Sequence, residues 1–200
     1  MSLMKESKKD DFLATIDTHK KIIYKVVNSY CKNKEDRKDL EQEIIIQLWN
    51  SFDKYNAEYK YSTWMYRIAL NVAISFYRKE KKWLVINDFY NEDSIYSIAD
   101  QNENKTELDH NIKLLQEFIN RLNELNKALM LLYLDEKPYD EIAEILGISK
   151  TNVATKISRL KLKLKKEFQK NRGGEGIVLQ NVGLHQIAQF EIEKKERVSF

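Results

Sequence analysis

Apolar residues near the start of the chain recur at helical spacing. Phe12, Ile16, Ile23, Val26, Val27 and Tyr30 fall at intervals built from three and four, which predicts an amphipathic helix over 12–30. The polar stretch Lys32-Asn33-Lys34-Glu35-Asp36 interrupts it. Leu40, Ile44, Leu48 and Phe52 then form a second stripe at i+4 spacing. Tyrosines and polar residues from Asp53 to Tyr61 predict a loop. Ser62 is expected to cap a third helix that turns Met65, Ile68, Val72 and Phe76 inward. Three helices of this kind form a compact bundle.

The periodicity is lost over 83–110, where Asn87-Asp88, Asn91-Glu92-Asp93 and the stretch from Asp100 to Lys105 read as a linker. Fully extended, it would span roughly 90 Å. Helical spacing returns with Ile112, Leu115, Ile119 and Leu122, followed by Leu125, Leu129 and Leu132. A turn at Asp135-Glu136-Lys137-Pro138 opens a short helix, with Pro138 expected in its first turn and Asp140 and Glu141 near its positive end. Gly147 ends that helix and Ser149 is expected to cap the next, whose buried side carries Val153, Ile157, Leu160 and Leu164.

Composition supports helices: five glycines and one proline in 200 residues leave few breakers for a turn-rich β fold. Four of the five glycines lie beyond residue 172, so the tail is a different kind of sequence. The expected fold is all-α: two small helical domains joined by an acidic linker, the second containing a helix-turn-helix. The domains expected are 1–82 and 111–170, with 83–110 between them and 171–200 as an appendage.

The net charge of +3 is informative once divided along the chain. Residues 1–82 carry 17 Lys/Arg against 12 Asp/Glu, residues 83–110 carry 1 against 7, and residues 111–170 carry 12 against 8. Two basic modules flanking an acidic strip suggest two contacts with polyanions. A single cysteine, Cys31, excludes an internal disulfide, and scattered His19, His110 and His185 do not make a zinc site. No apolar run approaches the roughly 20 residues needed to cross a bilayer, and the N-terminus lacks a secretory pattern. The expectation is a reduced, cytoplasmic protein with no direct membrane insertion. No Gly-rich phosphate loop, nucleophile elbow or metal-ligand cluster points to catalysis, so neither enzyme activity nor a metal or cofactor is expected.

Three stretches carry recognition chemistry. In Tyr139–Val153, small Ala143 permits close helix approach, Gly147 supplies the tight turn, and Ile148 and Val153 fill the gap, a helix-turn-helix layout. The following helix offers Lys150, Thr151, Asn152, Thr155, Lys156 and Arg159 outward, suited to a major groove, with Lys161, Lys163, Lys165 and Lys166 beyond them for phosphates. The third helix aligns Trp64, Arg67, Asn71, Ser75 and Arg78 on one face, after a loop bearing Tyr55, Tyr59 and Tyr61. Aromatic, amide and guanidinium groups together suit unpaired bases and phosphates; a core role for Trp64 is the competing reading. In the second helix, Ile45, Ile46 and Trp49 lie off the Leu40/Ile44/Leu48 stripe, beside Asp39, Gln42 and Glu43. Surplus apolar surface there marks either a docking face or a helix packed on both sides.

Together these stretches resemble bacterial sigma factors. Asp39-Leu40-Glu41-Gln42-Glu43 with Leu48-Trp49 resembles the family's core-binding helix, and Ser62–Asn71 with Arg78 its promoter-melting helix. The Tyr139–Val153 hairpin, with Leu122 and the helix that follows, resembles its DNA-reading domain. Two domains and a short linker is the layout of the extracytoplasmic-function group, and the resemblance covers about residues 10–170. The chain departs from the usual pattern at Ser75, Asn123 and Pro138. The resemblance implies transcription initiation with core RNA polymerase and promoter DNA as partners, and an anti-sigma factor as a regulator. It implies core-polymerase contacts at Asp39, Gln42, Glu43 and Trp49, and promoter-melting contacts at Tyr61, Trp64, Arg67, Asn71 and Arg78. Upstream-element contacts fall to Lys150, Thr151, Asn152, Thr155, Lys156 and Arg159. The alternatives are a stand-alone helix-turn-helix regulator and an adaptor whose basic patches bind acidic proteins.

Overall fold

The computed structural model describes residues 2–31, 33–87 and 107–171. Most of the linker expected over 83–110, and nearly all of the tail over 171–200, lie outside the described residues. Among the described residues the chain is all-α and contains no strand. Helices α1 (Ser2–Tyr30), α2 (Lys34–Ser51) and α3 (Tyr61–Asn87) come first, with a 3-10 turn at Phe52–Lys54 after α2. They are followed by α4 (Glu107–Asn120), α5 (Glu124–Leu134), α6 (Tyr139–Leu146) and α7 (Lys150–Asn171). The chain separates into two compact units. The first carries α1, α2 and the body of α3, and the second carries α4, α5 and α7.

In the first unit the i+4 stripe of α2 is the centre of the core: Leu40, Ile44 and Leu48 are completely buried. Phe12, Ile23, Val26, Val27 and Tyr30 of α1 are buried as the spacing predicts, while Ile16 is only half-buried. Within the polar stretch, residues 33–36 are less an interruption than a cap and a first turn. Asn33 is extended (φ −85°, ψ 164°) and its side chain accepts the Asp36 N–H at 2.7 Å, while Glu35 and Asp36 sit at the positive end of α2. The Arg37 Nε donates to the Cys31 carbonyl at 3.1 Å, satisfying a backbone acceptor just beyond α1.

Two expectations for α3 are corrected. The helix starts at Tyr61, with the Trp64 N–H donating to the Lys60 carbonyl at 3.1 Å, so Ser62 lies inside the first turn rather than capping it. The buried face is Met65, Tyr66, Ala69, Leu70 and Ala73, whereas Ile68, Val72 and Phe76 are only half-buried. Counting branched and sulfur-bearing residues finds Met65 and Leu70 but misplaces the stripe, because two alanines permit close approach and the Tyr66 ring supplies much of the bulk.

In the second unit α4 and α5 pack on α7. Ile112, Leu115 and Phe118 of α4 join Leu129, Met130 and Leu132 of α5 and Val153, Ile157, Leu160, Leu164 and Phe168 of α7 in the buried set. Ile119, Leu122 and Leu125 are only half-buried, since the chain turns between α4 and α5. Asn123 caps α5 by accepting the Asn126 N–H at 2.9 Å. Asn123→Ala is therefore expected to destabilise the protein by about 1 kcal/mol, read as a fall in the denaturant midpoint at constant slope. After α5, Glu136 takes a left-handed conformation (φ 56°); its N–H donates to the Tyr133 carbonyl and the Lys137 N–H to the Leu132 carbonyl. This is the Schellman closure with glutamate where glycine is usual.

Candidate partner and nucleic-acid interfaces

The α2 stripe that fills the core leaves the opposite side of the helix available for other chemistry. Asp39, Gln42 and Glu43 are exposed there, with Ile46 50% and Trp49 37% exposed. Asp39, Gln42, Ile46 and Trp49 follow at +3, +4 and +3, one face of a helix. Gln47 Nε2 donates to Glu43 Oε1 at 3.0 Å and holds that carboxylate along the helix. Trp49 is fastened on one side: the Phe12 ring meets it edge-on at 5.0 Å, and the Lys8 ammonium stands 4.8 Å from its centroid while pairing with Asp53. The indole is thus held in position while more than a third of it stays in solvent. Ile46 completes this face, and its place between Glu43 and Trp49 at helical spacing is the sequence signal that marks it.

On α3, Arg67, Asn71, Ser75 and Arg78 are all exposed, as their common spacing predicts. Trp64 differs from them, being half-buried among rings: Tyr55 at 5.4 Å, Tyr61 at 6.3 Å and Phe52 at 6.3 Å between centroids. Tyr55 and Tyr61 stack nearly parallel, 4.0 Å apart at 14°. The loop that delivers Tyr55 satisfies its own polar groups. The Tyr55 N–H donates to the Phe52 carbonyl at 3.2 Å, the Tyr59 N–H to the Asn56 carbonyl at 3.1 Å, and the Glu58 N–H to Asn56 Oδ1 at 3.0 Å. The Tyr55 hydroxyl donates to the Tyr59 carbonyl, and burial together with the neighbouring Tyr61 pushes the Tyr55 phenol above its ordinary pKa.

The hairpin of α6 and α7 is built as its residues require. The Ile142 N–H donates to the Pro138 carbonyl at 2.9 Å, which puts Pro138 just before the helix rather than in its first turn. Gly147 turns the chain at φ 66°, where no neighbour would obstruct a side chain, so the backbone angle alone selects glycine. Ser149 Oγ accepts the Asn152 N–H at 3.2 Å and caps α7. Val153, Ile157, Leu160 and Leu164 are buried, while Lys150, Thr151, Asn152, Thr155 and Arg159 are exposed and Lys156 is half-buried. The Thr155 hydroxyl donates to the Thr151 carbonyl at 2.8 Å, leaving its oxygen to accept. Lys150 pairs with Asp140 of α6 at 2.8 Å. Further along, Lys161 turns to the Tyr133 ring at 5.5 Å, whereas Lys163, Lys165 and Lys166 remain exposed. Among the described residues no group of three or more His, Cys, Asp or Glu is placed to hold a metal, and no helix is long and apolar enough to cross a membrane.

These surfaces coincide with matches to known proteins. A family model described as sigma-70 region 2 matches residues 15–83, and one described as sigma-70, region 4 matches residues 112–164. The chain is 33% identical over 146 residues to RNA polymerase sigma factor YlaC of Bacillus subtilis (strain 168), covering 72% of this chain and 83% of that one. It is 28% identical over 184 residues to the ECF RNA polymerase sigma factor SigW of the same organism, covering 83% and 93%. Its fold is similar to that of the sigma factor RpoE of Bartonella quintana, solved in complex with the anti-sigma factor NepR, with a TM-score of 0.58 at 18% identity over 82% of this chain and 98% of that chain.

Proposed function

The chain belongs to the bacterial sigma-70 family, in its extracytoplasmic-function group, and on that premise we propose a division of labour among its three faces. It binds core RNA polymerase and directs promoter-specific transcription initiation. Bond formation belongs to the polymerase, with which it works in the cytoplasm. Residues 1–82 bind the core enzyme through Asp39, Gln42, Glu43 and Trp49. The same domain opens the downstream promoter element with Tyr61, Trp64, Arg67, Asn71 and Arg78. Residues 83–110 link it to the hairpin domain at 111–170, which reads the upstream element. There Thr151, Asn152 and Thr155 lean toward base edges, and Lys150, Lys156 and Arg159 reach base edges or phosphates at the groove wall. An anti-sigma factor is a further partner.

The observation that carries this reading is the second apolar face of α2. Its first stripe is completely buried, yet Ile46 and Trp49 stay in solvent beside an acidic and amide rim. A stand-alone repressor needs no polymerase-docking surface, would use such a face at most to dimerise, and binds its operator unaided. A gel shift with promoter DNA selected from a random library separates the two. Specific retardation is expected only when core polymerase is present; tight specific binding by the chain alone would favour the repressor.

A further inference from the structure

A stacking platform works only when one of its faces is open. Tyr61 stands at the start of α3, carried by a helix that Met65 and Tyr66, both fully buried, anchor in the core. One face of its ring is already covered, because Tyr55 lies on it at 4.0 Å and 14°, the separation and angle a nucleobase would adopt. Trp64 stands roughly perpendicular to it at 6.3 Å and 77°, and the His19 ring is 6.4 Å away. Tyr55 itself belongs to the loop, whose following residues 56–60 are all exposed, and its hydroxyl is fastened to the Tyr59 carbonyl. Of the two stacked rings, one is carried by the helix and the other by the loop, where Trp64 at 5.4 Å and the Tyr59 carbonyl are its remaining contacts.

We infer that Tyr55 is a displaceable aromatic cover on Tyr61, so that an unpaired base gains its stacking face only by expelling a tyrosine. The inference rests on the reading of Tyr61 as a promoter-melting contact. A base arriving at the covered face exchanges one ring pair for another, and its net gain is smaller than stacking on a bare ring would give. Tyr55 thereby raises the threshold for capturing single strands and slows opening at weak sites. Strong sites, where Arg67 and Asn71 on the same helix also engage, overcome it.

The alternative geometry makes Tyr55 the outer layer of a two-ring platform on which the base stacks, and the two predict opposite signs. Holoenzyme is prepared with Tyr55→Ala, Tyr55→Phe, Tyr61→Ala and the Tyr55→Ala/Tyr61→Ala pair. Its binding to each separated strand of a library-selected promoter is measured by anisotropy, and duplex opening by permanganate reactivity. Tyr55→Ala is expected to bind the single strand about three- to tenfold tighter and to open the duplex faster. Tyr55→Phe, which keeps the ring and loses only the bond to Tyr59, is expected to gain about twofold. The double variant should show no gain over Tyr61→Ala. Unchanged or weaker binding by Tyr55→Ala overturns the inference, and if that variant fails to fold, the same result for Tyr55→Phe does so. A Tyr61→Ala holoenzyme that binds and opens normally would sink the underlying melting role of Tyr61, a result distinct from either.

Discussion

Gln42→Ala combined with Glu43→Lys is expected to lower the affinity for core polymerase about a hundredfold while leaving the fold intact. Both side chains are exposed on α2, and the stripe that anchors the helix, Leu40, Ile44 and Leu48, is untouched. Within the chain the change breaks the Gln47 amide bond to Glu43, an exposed i,i+4 pair worth a few tenths of a kcal/mol. At an interface the balance differs. Lysine in place of a carboxylate sets like charge against whatever basic group the partner aligned there, and mismatches of that kind cost several kcal/mol. Holoenzyme assembly by titration reads the loss, and thermal unfolding of the free chain serves as the control. Normal assembly by a normally folded double variant would remove α2 as the docking face.

Strand opening is the second large effect. Arg67→Ala with Asn71→Ala is expected to slow opening of a duplex promoter on the order of a hundredfold, and to change activity on an artificially melted bubble no more than about threefold. An amide aligned to a base edge contributes about 1–3 kcal/mol, and a guanidinium holding the displaced backbone adds to it. Because both residues are exposed, their removal should leave the melting temperature unchanged, which makes them cleaner probes than Trp64 or Tyr61. Those two sit in the ring cluster, where truncation also removes packing. Equal losses on duplex and bubble would mean that the face does not melt DNA.

How far the sequence could be read depended on the range of the interactions involved. Helix α2, the α7 stripe, the Gly147 turn and the Ser149 cap depend on residues within a turn or two of one another, and spacing revealed them. The rotation of the α3 stripe does not show, because three of its five members are two alanines and a tyrosine, residues that a hydrophobic count treats as neutral or as surface. The turn from Asp135 to Pro138 is legible, but the left-handed Glu136 within it is not: the signal for such a residue is glycine, and here the backbone adopts that conformation without it. On the candidate faces, exposure of Asp39, Gln42, Glu43, Arg67, Asn71 and Arg78 followed from periodicity alone. The stacking of Tyr55 on Tyr61, the seat of Trp49 on Phe12, and the Lys8–Asp53 pair required the chain to fold back on itself. No local pattern encodes such meetings.

The pairing of Lys150 with Asp140 bears on how the chain travels along DNA. An ammonium at the leading end of α7 that is already neutralised from within arrives at the duplex carrying its own counterion. A phosphate contact made by Lys150 would then be an exchange of one anion for another, and its share of the entropy released by displaced cations would be forfeited. Exposed pairs of this kind are weak enough to yield wherever a groove fits well. On random sequence, where the fit is poor, the internal partner would keep its hold and the grip on the backbone would be lighter. A protein that must find a few promoters among an excess of other sites is served by that lightness, because the time lost on each wrong site is shorter.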